Sequence, residues 1–78
     1  MENEKKVYEI PEFDGGNIPV TKAAEIMKKD QLFIRQGMIK GILPIGSVFK
    51  LKGSQQYNYY ISPKLFWEFT GYVYREDK

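Results

Sequence analysis

The chain contains no cysteine and no histidine. Without cysteine there is no disulfide framework and no thiolate metal site. Without histidine the commonest metal ligand and the usual general base are missing as well. The remaining residues show no nucleophile–base pair, no phosphate-cradling loop and no paired carboxylates, so neither catalysis nor a cofactor is expected. Long apolar runs are also missing, and none approaches the ~20 residues of a membrane span. The charged start MENEKKVYEI lacks the apolar stretch of a secretion signal. A cytoplasmic protein without a membrane partner is the expectation.

What is present suits one packed domain. The length of 78 residues lies near the lower end of what folds without staples. Apolar residues make up 42% and aromatics 15%, too many for a disordered chain. The net charge of +2 conceals a segregation. Residues 1–21 and 65–78 are net negative. Residues 22–64 hold Lys22, Lys28, Lys29, Arg35, Lys40, Lys50, Lys52 and Lys64 against Glu25 and Asp30, net +6. A basic middle suits a polyanion, because each neutralised phosphate releases condensed counterions. It equally suits a solvated surface.

The first half of the domain reads as two short helices. Thr21 is placed to cap a helix over 22–29, with Ala23, Ile26 and Met27 on its buried face and Glu25 in its first turn. Asp30 is placed to cap a second helix, which Gly41 stops and Pro44 follows. Ile34, Met38 and Phe33 are expected to face inward, and Gln31, Arg35 and Gln36 outward. Gly37 costs roughly 1 kcal/mol against alanine inside a helix. It is therefore expected to mark a close approach by the first helix or by the hairpin that follows. Two helices joined this tightly match a helix-turn-helix, although such helical hairpins also occur in proteins that never touch DNA.

The second half reads as a hairpin and a third helix. Strands are expected over 47–52 and 57–61, with a turn over 53–56. Ser62-Pro63 is a cap followed by a proline at the first helical position. The core stripe of that helix is expected at Leu65, Phe66, Phe69, Tyr72 and Val73, with Trp67 on the opposite side. Tyr57, Tyr59 and Tyr60 read as packing residues rather than base-stacking platforms.

Residue chemistry then assigns roles. Arginine pairs bidentately with guanine and glutamine with adenine, so Arg35, Gln31 and Gln36 are the candidates for base contact. The alternative for Arg35 is a surface ion pair with Glu25 or Asp30. Lys28, Lys29, Lys40, Lys50, Lys52, Ser54 and Gln55 are the candidates for the DNA backbone. Trp67 is either covered by Tyr8 or Phe13 or is a contact for a protein partner.

The run from Val20 to Phe69 resembles the excisionase-like DNA-binding proteins of phages and mobile elements, relatives of the MerR-type winged helix-turn-helix. The likeness is carried by Thr21-Lys22-Ala23-Ala24 with Ile26, by Phe33-Ile34-Arg35-Gln36-Gly37-Met38 and by Gly41-Ile42-Leu43-Pro44-Ile45-Gly46. Tyr59-Tyr60-Ile61-Ser62-Pro63-Lys64 and Phe66 complete it. The resemblance implies an α+β winged helix-turn-helix: three short helices, with a two-stranded β-hairpin wing between the second and third. The residues outside the likeness are read on their own: 1–17 as an arm, mobile or partly docked, with no counterpart in the family, and 74–78 as a polar tail, around a DNA-binding domain over 18–73. The resemblance also implies double-stranded DNA as partner, with an integrase or further copies of the chain beside it, and a role as recombination directionality factor or transcriptional regulator. The family's first turn usually contains a small residue, whereas this chain has Lys28-Lys29-Asp30. A lysine in the left-handed conformation costs roughly 1 kcal/mol or more, so a different turn shape is expected. The competing functional class is a non-enzymatic adaptor of phage origin acting through the surface of the third helix.

Overall fold

The computed structural model describes residues 10–13 and 15–75. They form α1 (Val20–Met27), α2 (Gln31–Ile39), β1 (Gly46–Lys50), β2 (Tyr57–Ile61) and α3 (Pro63–Thr70). This is a small α+β arrangement with an antiparallel hairpin between the second and third helices. Val7 and Tyr8 of the expected arm, Asp14 of the expected loop and Glu76, Asp77 and Lys78 of the expected tail lie outside the described residues. No helix among the described residues is long and apolar enough to cross a membrane.

α1 begins two residues before the expected start, and Thr21 is not its cap. Pro19 holds that position in an extended conformation, with no side-chain hydrogen bond. Its carbonyl accepts from the N–H groups of Lys22 and Ala23, each at 3.0 Å. Ile18 is the physical reason. It is fully buried and its N–H donates to the Ile61 carbonyl at 3.1 Å, so the chain is already fixed before the helix starts. Glu25 consequently lies past the first turn and pairs instead with Lys22 at 3.8 Å. Both side chains are exposed, which limits that pair to about 0–1 kcal/mol.

The turn after α1 keeps the shape a glycine would give. Lys28 takes the left-handed conformation (φ 59°, ψ 42°) and is the only non-glycine residue with positive φ among those described. The Lys29 N–H reaches the Ala24 carbonyl at 3.0 Å and the Lys28 N–H reaches that of Glu25 at 3.3 Å. These two bonds make a Schellman closure, which satisfies carbonyls that the helix end leaves free.

α2 opens as expected, with the Asp30 carboxylate accepting from the Phe33 N–H at 2.9 Å. It also closes with a Schellman pair. Gly41 has φ 72°, the Ile42 N–H donates to Gly37 at 2.8 Å and the Gly41 N–H to Met38 at 3.1 Å. The neighbour that requires Gly37 is neither α1 nor the hairpin. It is Leu43, in the connector, whose side chain would lie 2.6 Å from an added Cβ. The chain therefore folds back over its own helix end and buries Leu43 there.

The core consists of Ile18, Ala23, Ala24, Ile34, Met38, Leu43, Ile45, Ile61 and Phe66. Two adjacent alanines let α1 approach closely, while Ile26 and Met27 are only half-buried at its edge. In the hairpin, Gly46 pairs with Ile61, Val48 with Tyr59 and Lys50 with Tyr57. Val48, Tyr59 and Ile61 face the core, and Ser47, Phe49, Asn58 and Tyr60 face solvent. A Cβ at Gly46 would meet the Tyr60 carbonyl oxygen at 1.8 Å, so nothing larger fits that crossing. β1 stops at Lys50, two residues short of the expectation, because Leu51 already begins a turn. The Ser54 N–H donates to its carbonyl at 2.9 Å, and Gly53 supplies the positive φ of 83°.

α3 starts at the Ser62 cap, which accepts from the Leu65 N–H at 3.2 Å, with Pro63 in the first turn. Its expected core stripe is largely wrong. Phe66 is fully buried, but Leu65, Phe69 and Tyr72 are exposed and Val73 is half-buried. The rest of the fold covers only a narrow stripe of α3, at Pro63 and Phe66.

Lys28→Gly should raise the denaturant midpoint, stabilising the fold by about 0.5–1 kcal/mol, because the left-handed residue no longer carries a Cβ. Unchanged or lowered stability would show that the lysine is not strained there.

Candidate nucleic-acid interface

α2 turns one face to the core and a broad face outward. At 3.6 residues per turn, Leu32, Gln36 and Lys40 lie opposite Ile34 and Met38. All three are exposed, Leu32 at 62%. Phe33, expected inside, is 42% exposed and lies beside this face. Its ring supports the Lys29 ammonium, 5.2 Å from the centroid. Gln31 and Arg35 form the flank and are half-buried. Arg35 pairs with neither Glu25 nor Asp30; its Nη2 donates to Gln31 Oε1 at 2.8 Å. That bond fixes the guanidinium along the helix and occupies the glutamine's carbonyl. The pair is left with the Gln31 NH₂ and the remaining guanidinium N–H groups, so it presents mainly donors.

The turn between the helices adds Lys28 and Lys29, both exposed, next to Gln31. An open concavity of about 520 Å³ runs here, lined by Thr21, Lys22, Glu25, Lys29, Asp30 and Gln31. Lys40 stands at the other end of α2, beside a smaller apolar groove formed by Phe33, Gly37, Ile42 and Leu43. The sequence candidates on the helices thus divide into a cluster at the start of α2 and a Gln36–Lys40 row on its outward face.

The hairpin candidates form a third group. Lys50 and Lys52 are exposed, and the Lys50 ammonium lies 5.4 Å from the centroid of the Tyr57 ring. The Ser54 hydroxyl accepts from the Gln56 N–H at 3.0 Å and keeps its own proton for donation. Gln55 is exposed. β1, which ends at Lys50, packs against α2. No acidic residue occurs between Asp30 and Glu68, a stretch that contains Arg35, Lys40, Lys50, Lys52 and Lys64.

Sequence reasoning missed the exposed apolar side chains on these surfaces: Leu32 and Phe33 on α2, Phe49 and Leu51 on the hairpin. The signal was available. Leu32 is two residues from Ile34 and hence across the helix, and Phe49 alternates with the inward Val48.

Trp67 is half-buried and packs on Phe13, with ring centroids 5.8 Å apart. The Arg75 guanidinium donates to the Glu12 carbonyl next to this pair. Of the two readings of Trp67, cover by Phe13 is the contact present.

The chain matches no protein-family model, no curated protein and no solved structure.

Trp67 is the only tryptophan, so its fluorescence reports the surroundings of this one indole. Phe13→Ala should shift the emission to the red and cost about 0.5–1.5 kcal/mol in unfolding free energy, the range for an aromatic pair. An unshifted spectrum would show that Phe13 does not cover the indole in solution.

Proposed function

We propose that this chain is a sequence-specific double-stranded DNA-binding protein of winged helix-turn-helix type. In this reading α1 and α2 form the helix-turn-helix, α2 enters the major groove and the β1–β2 hairpin is the wing. The observation that carries it is the charge of α2 and the hairpin. From Gln31 to Trp67 every ionised side chain is cationic. Arg35 and Lys40 lie along α2 and at its end, and Lys50 and Lys52 on the hairpin, among amides and exposed apolar groups, while Lys64 lies on α3 and pairs with Glu68 at 3.8 Å. The three-residue turn between α1 and α2 is the length such motifs use.

The Arg35–Gln31 pair sharpens the expected base preference. Guanine offers two acceptors in the major groove, O6 and N7, whereas adenine also presents a donor. A pair whose free groups are mainly donors favours guanine. Gln36, exposed and free of that bond, remains suited to adenine. Leu32 gives α2 an apolar contact of the kind that reads a thymine methyl. Lys28, Lys29, Lys40, Lys50 and Lys52, with Ser54 and Gln55, then meet phosphates. The resemblance to excisionase-like proteins makes the role that of a recombination directionality factor or a transcriptional regulator, with an integrase or further copies as neighbours on DNA.

The adaptor reading has one favourable observation. Leu65 and Phe69 of α3 are exposed and line an open groove with Pro44 and Glu68. Trp67, the candidate partner contact on the same helix, is already engaged by Phe13.

On a duplex selected by the wild-type chain, Arg35→Ala should lose about 1–3 kcal/mol of binding and relax the preference for guanine at one position. Lys50→Ala should weaken binding to all sequences alike and reduce the salt slope by about 1. Absence of salt-dependent binding to any duplex in a mobility-shift series would overturn the proposal.

A further inference from the structure

The hairpin ends in an arrangement that phosphate contact does not explain. Phe49 is 57% exposed on the solvent face of β1, and Leu51, at the start of the turn, is 65% exposed. Neither belongs to the core or to the side chains packed against it. Lysines 50 and 52 alternate with them, and Gln55, Gln56 and Asn58 surround them with exposed amides. A hairpin that only neutralised phosphates would need the lysines and not two large apolar groups held in water.

We infer that the hairpin tip is a wedge for the minor groove of double-stranded DNA, in which Leu51 enters a base step, Phe49 follows it, and the duplex kinks. This inference rests on the DNA-binding reading above and adds a mechanical function to it. Minor-groove proteins that bend DNA combine the same three elements: an apolar wedge, amides that donate to the acceptors on the groove floor, and cations for the flanking phosphates. The tip supplies each one: Leu51 and Phe49, then Gln55 and Gln56, then Lys50 and Lys52. The turn is suited to leading. Gly53 has no side chain to obstruct entry, and the bond from the Ser54 N–H to the Leu51 carbonyl fixes the backbone from which the wedge projects.

Two other occupants fit less well. A second copy meeting hairpin to hairpin would set Lys50 and Lys52 against their own equivalents, and no carboxylate lies between residues 46 and 61 to offset them. A membrane surface would gain only two apolar side chains, and even a single acyl chain gives marginal, reversible attachment.

The test measures the bend of a duplex that the wild-type chain selects from a random-sequence pool, labelled for energy transfer between its ends. A second label, 2-aminopurine, reports unstacking at each step in turn. Wild type should bend the duplex by roughly 20–90° and brighten 2-aminopurine at one step. Leu51→Ala should cut the bend by about half or more and abolish the brightening, with the salt slope of binding unchanged. Leu51→Ile should restore both, and Phe49→Ala should give a smaller loss. Leu51 is exposed, so its loss leaves the fold intact. Wild-type binding without a bend, or an equal bend by Leu51→Ala, would overturn the wedge while leaving DNA binding in place. Failure to select any duplex would overturn DNA binding itself. Leu51-dependent binding to phosphatidylserine vesicles, with no kink in DNA, would replace the wedge with a membrane contact.

Discussion

The last residue of β2 is bonded on both sides, and most of the architecture depends on it. The Ile61 carbonyl accepts from Ile18, and its N–H donates to Asn17 Oδ1 at 2.8 Å. One residue on, the Ser62 N–H reaches the Ile45 carbonyl at 2.9 Å. Three segments distant in sequence therefore meet at one point: the entry to α1, the connector before β1 and the start of α3. Ile18, Ile45 and Ile61 are all fully buried there. Hydrogen bonds and apolar burial reinforce each other at this junction, since buried backbone groups must be paired. Gly46, which leaves no room for a Cβ beside the Tyr60 carbonyl, permits the close strand crossing.

This junction also accounts for how the surfaces divide. A chain this short can build one core, and here the connector fills much of it with Leu43 and Ile45. The helices are then left with narrow buried stripes. α1 buries two alanines, α2 buries Ile34 and Met38, and α3 buries Phe66 with Pro63. Large apolar residues elsewhere on α2, α3 and the hairpin have no core left to enter. Those on α2 and the hairpin lie among cations and amides, whereas those on α3 lie beside the Lys64–Glu68 ion pair. The two sets of surfaces accordingly suit partners of different chemistry.

Features determined by neighbouring residues were legible in the sequence. Asp30 and Ser62 cap their helices through side-chain oxygens three residues from the N–H they accept. Gly41 stops α2, and β2 occupies its expected span. Features determined by distant partners were not. Pro19 replaced Thr21 at the start of α1 because Ile61 holds Ile18. Gly37 faces Leu43 because the connector doubles back. Periodicity placed Leu65, Phe69 and Phe33 inside, but it cannot say how wide a face the opposing elements will cover. Lys28 adopts the glycine-like turn despite its Cβ, since the two Schellman bonds outweigh local preference. For the candidate site, residue types were readable but not their pairing. The bond between Arg35 and Gln31 joins two side chains whose types alone suggest separate base contacts.

The contacts of Phe13 with Trp67 and of Glu12 with Arg75 have a topological meaning. They bring the two ends of the described chain to one side of α3. A bridging peptide could join those ends, and new termini could be opened within the 51–56 loop without cutting the core. Such a permuted chain would keep both strands while releasing the tip that links them. It would separate what the hairpin does by packing from what it does by reaching outward.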